Sequence, residues 1–117
     1  MDFSLGQIED EITKGIIQWE KEYMGRGPTE ARTDIIRNMI IVTLKGVLSQ
    51  AEKNLAKSRN GMILIKKLRQ QLVEQGRAEL DELVFRITST RVISLHTDLS
   101  TKTGERIFVF ITEKELV

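Results

Sequence analysis

The stretch ARTDIIRNMIIVTLKG, residues 31–46, decides the fold. Its first half, Ala31 to Arg37, mixes apolar and polar positions. Its second half, Met39 to Gly46, is rich in β-branched residues and apolar on both faces, as a strand inside a sheet should be. Asn38 between them supports a turn, so the stretch predicts an antiparallel hairpin, although the turn pair is not the strongest kind.

The end of the chain repeats the pattern. RVISLHTD, Arg91 to Asp98, and RIFVFIT, Arg106 to Thr112, are strand-like, and the polar LSTKTGE between them places Gly104 at a turn.

Helices fill the remaining segments. Before the first hairpin, Ser4 and Gln7 form a capping box, and Phe3 with Ile8 would close a hydrophobic staple. Leu5, Ile8, Ile12, Ile16, Trp19 and Tyr23 then recur at three- and four-residue steps as one apolar stripe. Gly15 within it marks a weak point or a close neighbour. Between the hairpins, Ser49 and Glu52 form a second capping box that opens a short helix. Lys57 to Gly61 reads as a break, and a long helix runs from about Met62 to Ile87. Ile65, Leu68, Leu72, Leu80, Leu83 and Ile87 mark its expected buried stripe, with Gly76 as an interior irregularity.

The expected order is α-β-β-α-α-β-β. Local hairpins with helices in separate blocks indicate an α+β two-layer sandwich: a four-stranded, mostly antiparallel sheet with helices on one face. The 117 residues make one domain, 1–117. In the last strand Phe108 and Phe110 share one side while Ile107, Val109 and Ile111 share the other. A sheet covered on one face should be polar on the other. The second face is therefore expected to meet something, and a second copy of the chain, a homodimer, is the simplest occupant.

Composition narrows the function. The formal net charge is +1 with 30% charged residues, too even a balance for a dedicated nucleic-acid binder. The absence of cysteine removes thiolate metal sites, iron–sulfur clusters and cysteine nucleophiles, and suits a cytoplasmic protein. The acidic start, MDFSLGQIEDE, is no signal peptide, and the longest apolar run, Ile107 to Ile111, is too short to span a bilayer. No membrane insertion, cofactor or metal is expected.

Few residues suggest chemistry. His96 and Asp98 lie two apart on a strand, hence on one face, and could form an acid–base couple; a partly buried, hydrogen-bonded histidine is the plainer reading. His96 alternates with Val92 and Ser94, which places it opposite Ile93 and Leu95. One histidine cannot build a zinc site without partners, and no serine sits in a nucleophile elbow. Without a nucleophile, base and oxyanion set, the chain reads as a non-enzyme. Gly25, Arg26, Gly27 and Pro28 punctuate the end of the first helix. They lack Walker spacing, yet Arg26 between two glycines could bind an anion or a partner carboxylate. The basic residues Lys57, Arg59, Lys66, Lys67 and Arg69 read as a solvated face without aromatic interleaving.

Taken in order, GRGPTEAR, MIIVTLKGVLSQAEKNL, LRQQL and VISLHTDLSTKTGERIFVF resemble the MpsC-like family over nearly the whole chain. The resemblance implies the soluble component of a bacterial membrane-potential-generating system, tied to cation translocation or bicarbonate uptake, with a membrane transporter subunit as partner. It supplies no reaction, cofactor or catalytic residue. Gly25, Arg26, Gly27 and Pro28 match the family's Gly-Lys-Gly-Pro-like turn, with Arg26 in place of the usual lysine, and His96 and Asp98 match its strand-end region. Arginine keeps the charge but changes the geometry of an anion contact. The leading expectation is thus a non-enzymatic regulator of a transport system, with a nucleic-acid-binding or anion-sensing regulatory domain as the alternative.

Overall fold

The computed structural model describes residues 4–117, so the Phe3 staple lies outside the described residues. Helix α1 (Leu5–Met24) precedes strands β1 (Glu30–Ile36) and β2 (Met39–Lys45). Helices α2 (Gln50–Leu55), α3 (Arg59–Gln75) and α4 (Arg77–Thr88) lead to β3 (Val92–Leu99) and β4 (Arg106–Thr112). Both capping boxes form. The Ser4 and Ser49 hydroxyls each accept from an amide three residues on, at 3.2 Å, and the Gln7 and Glu52 side chains each accept from the capping residue's own amide. Gly25 closes α1 in the left-handed conformation at φ 82°, where a side chain would be strained.

The α+β fold and the order α-β-β-α-α-β-β stand, with the second helix of the pair bent into α3 and α4 at Gly76. The bend has a packing cause. A Cβ on Gly76 would lie 2.6 Å from Cζ2 of Trp19, so the helix can cross the indole only where there is no side chain. The expected break at Lys57 to Gly61 is shorter than its composition suggests. Ser58 caps α3 by accepting from the Gly61 amide at 3.0 Å, which makes Arg59 to Gly61 its first turn.

The four strands pair antiparallel throughout, in the order β1-β2-β4-β3. The hairpin turn at Arg37 and Asn38 forms, but the positive φ, 56°, falls on Arg37. Asn38 instead ties the turn to β4: its side-chain amide donates to the Thr112 carbonyl at 3.1 Å.

Ile35, Ile40, Val42, Leu44, Phe108 and Phe110 face the helices and are buried against Ile12, Ile16 and Trp19 of α1 and Leu80, Leu83 and Val84 of α4. Burying one such side chain contributes about 2 kcal/mol. Gly15 is the close neighbour expected from its place in the stripe: the Leu83 side chain of α4 lies directly on it. Among the described residues, the opposite face of the sheet carries no helix, and it presents Ile36, Met39, Ile41, Ile107, Val109 and Ile111.

Two sequence expectations fail in informative ways. Leu68 does not join the buried stripe; it is 54% exposed, and the buried line of α3 is Gly61, Ile65, Arg69 and Val73. Strand β3 carries a bulge between Val92 and Ser94. Val92 therefore pairs with buried Thr112 on the helix side, while Ser94 and His96 keep the open side.

Candidate functional site

Helix α3 packs against α2 and α4 and leaves a gap to the sheet. The gap is a cleft of about 490 Å³ lined by Lys66, Gln70, Val73 and Glu74 of α3, Arg77 of α4, residues Leu95 to Leu99 of β3, and Arg106 of β4. It lies along the edge of the sheet, because β3 is an edge strand.

Beneath the cleft is a charged group inside the core. Glu20, Arg69 and Arg106 are 1%, 3% and 3% exposed. Arg69 grips Glu52 with both arms of its guanidinium, at 2.8 and 2.7 Å, and also donates to the Val47 carbonyl at 2.8 Å. Arg106 donates to Thr97 Oγ1 at 2.9 Å and stacks over the Phe108 ring. Among the described residues, four buried atoms have no hydrogen-bond partner: Trp19 Nε1, Glu20 Oε2, Arg69 Nη1 and Arg106 Nε. Groups of this kind are satisfied by ordered water or by a ligand.

Titration follows this arrangement. Burial pushes the Glu20 carboxyl above its ordinary range, against the opposing pull of Arg106 and Arg69. Burial likewise lowers the Arg106 guanidinium, with Glu20 opposing. Partial burial pushes the Glu52 carboxyl up, but the hydrogen bonds from Arg69 and Ser49 outweigh it and hold the group below its ordinary value. Asp98 is held down by the Leu99 amide first and Lys66 second.

The two groups of sequence-singled residues do not form one site. His96 and Asp98 both line the cleft, yet they do not bond to each other. His96 Nε2 lies 3.2 Å from the Ser94 hydroxyl. Asp98 accepts from the Leu99 amide at 2.8 Å and pairs with Lys66 at 3.2 Å. The acid–base couple is therefore absent from this arrangement. Arg26 donates to the Leu48 carbonyl at 2.7 Å. Arg69 holds the adjacent Val47 carbonyl, so the two arginines together clamp the chain between β2 and α2. The glycine–arginine turn thus has a structural task, and Gly25, Gly27 and Pro28 lie outside the cleft lining.

Sequence reasoning passed over Glu20 and Arg106, and its reading of Arg69 as part of a solvated face is overturned: the side chain is buried against Glu52 and the Val47 carbonyl. A usable signal was present: Glu20 continues the Ile12–Ile16 step, and Arg69 continues the Gly61–Ile65 step, so each is a charge standing on an apolar line. Arg106 alternates with Phe108 and Phe110 in the same way. Among the described residues, no group of His, Cys, Asp and Glu is placed to hold a metal ion, and no helix is long and apolar enough to cross a membrane.

The other flank of α3 is apolar and uncovered. Leu64 and Leu68, one turn apart on this flank, are 59% and 54% exposed.

A family model described as Na+-translocating membrane potential-generating system (MpsC) matches residues 4–114. An uncharacterised protein of Bacillus subtilis, YbcI, is 52% identical over 110 residues, covering 94% of this chain and 89% of its own. A second uncharacterised protein of that organism, YrhF, is 24% identical over 97 residues, covering 82% of this chain and 80% of its own. No solved structure gives a significant match.

Proposed function

We propose, from the premise that the chain belongs to the MpsC family, that it is a non-enzymatic cytoplasmic component or regulator of a bacterial membrane transport system that moves cations or bicarbonate. The uncovered apolar flank of α3 carries this reading. Leu64 and Leu68, exposed one turn apart on one flank of the helix, form a surface that a monomer in water does not need and a partner subunit can bury. The partner is a membrane-embedded transporter subunit, and His96 and Asp98 of β3 line the cleft beside the opposite flank of α3, where its occupancy can influence docking. Arg26 and its glycines support the site indirectly, by fixing the β2–α2 corner on which α3 rests.

Capture from solubilised bacterial membranes tests this. Wild-type bait should retain a transporter subunit, and the double variant Leu64→Glu/Leu68→Glu should lose it while keeping its circular dichroism spectrum. Retention by the variant, or by neither bait, overturns the reading.

An anion sensor is the second reading, favoured by the unpartnered Arg106 Nε and by Lys66, which lines the same cleft. Inorganic phosphate should then raise the melting temperature at constant ionic strength, by an amount equivalent to about 2.7 kcal/mol at a hundredfold excess over the dissociation constant. Lys66→Ala should abolish the rise. Equal melting in phosphate and in matched chloride rules the sensor out.

A further inference from the structure

We infer that two copies of this chain pair through the open faces of their sheets, with the two-fold axis parallel to the strands. The cross-strand register sets out that face as three rows. Arg32, Thr43, Ile107 and Asp98 form the first row; Asp34, Ile41, Val109 and His96 the second; Ile36, Met39, Ile111 and Ser94 the third. The middle two columns are apolar except for Thr43, and the charged groups lie on the edge strands. This is the pattern of an interface core with a polar rim.

Charge selects the axis. A two-fold axis along the strands, between β2 and β4, sets β1 over the partner's β3. Each row then meets itself reversed. Arg32 comes opposite the second copy's Asp98, and Asp34 opposite its His96, both twice. An axis running across the strands through the middle row instead sets β1 over β1 and brings Asp34 against its own copy, a like-charge contact. The side chains needed are accessible: Arg32 is 79% exposed and Asp98 75%. Their contacts within the chain, Arg32 with Asp34 and Asp98 with Lys66, are exposed pairs that cost little to rearrange. Sheets stacked this way pack about 10 Å apart with strands about 30° from parallel. At the sheet edge that rotation leaves a displacement of a few ångström, which an arginine side chain can span. The product is a four-layer assembly, helices–sheet–sheet–helices, with both α3 flanks facing outward.

The test uses the full chain and sedimentation equilibrium. At about 100 μM chain the wild type should be a dimer of 13.4 kDa protomers. Val109→Lys should be monomeric with an unchanged circular dichroism spectrum; if that variant does not fold, Ile107→Lys, at a position already 40% exposed, replaces it. Arg32→Glu and Asp98→Arg should each weaken dimerisation about tenfold or more. The double variant Arg32→Glu/Asp98→Arg should restore wild-type affinity. A monomeric wild type, or a dimer indifferent to lysine on the open face, overturns the pairing. Failure of the double variant to recover overturns the assigned axis.

Discussion

Gly61→Ala should cost about 3 kcal/mol of stability and lower the melting temperature by about 10 °C or more. Gly61 opens the buried line of α3 where it passes under the end of α2. A Cβ there would run into the Leu55 carbonyl oxygen and would lie 2.7 Å from its carbon and 2.9 Å from Ser58 Oγ. The obstacle is backbone, and the hydroxyl is occupied as the α3 cap, so neither can move aside without opening the α2–α3 corner. Alanine's better helix propensity offsets about 1 kcal/mol at most. Gly6 is the control. Among the described residues nothing lies within 4 Å of a Cβ built there, so Gly6→Ala should be neutral or stabilise by about 0.5 kcal/mol. Urea titration of both variants decides it: equal stabilities would mean that the corner is looser than its geometry shows.

Arg69→Ala should be as damaging, by about 3–5 kcal/mol at pH 7, because it removes one member of a buried charged pair. Three groups are left behind. The Val47 carbonyl loses a buried donor, Glu52 loses a bidentate partner, and Glu20 loses one of the two guanidinium groups that oppose its burial. The pH dependence has a definite sign. Glu52 is held below its ordinary value of 4.5, so its contribution is present above that pH and is lost as pH falls through the depressed native value. Glu20 is raised above 4.5, so its effect runs the other way: stability is greatest below 4.5 and falls as pH rises through the raised native value. Without Arg69, Glu20 is raised further, which penalises the variant most at neutral pH. Both effects make the gap between wild type and Arg69→Ala wide at pH 7 and narrower below pH 4.5. Parallel stability curves across that range, or a loss below about 1 kcal/mol, would show that Arg69 is not held as a buried ionic partner.

Much of the local architecture was readable before folding. Ser4 with Gln7 and Ser49 with Glu52 satisfy helix-end amides through atoms three residues apart, so no distant neighbour is needed to recognise them. The last strand was placed at Arg106 to Thr112, where it lies, because an alternating β-branched and aromatic run between polar turns has few other uses. Long-range features were harder. Leu68 and Ile65 are equally apolar, and periodicity alone cannot tell which flank of α3 meets the body. The bulge at Ile93 reverses the face of Val92, and a one-residue irregularity leaves no mark in composition. Arg26 looked like a free charge beside two glycines, but its partner is a carbonyl 22 positions away.

The amino-acid sequence by itself determined the element types, the two hairpins, the helix caps and the family. These rest on contacts within a few residues, or on the order of the segments. Tertiary structure alone decided that Glu20, Arg69 and Arg106 are enclosed together beneath a cleft. It also decided that α3 leaves an apolar flank uncovered. The physical reason is that burial belongs to the packed assembly of elements. A charge on an apolar line becomes a core charge, and an apolar line becomes a surface, only when a neighbouring element arrives or fails to arrive.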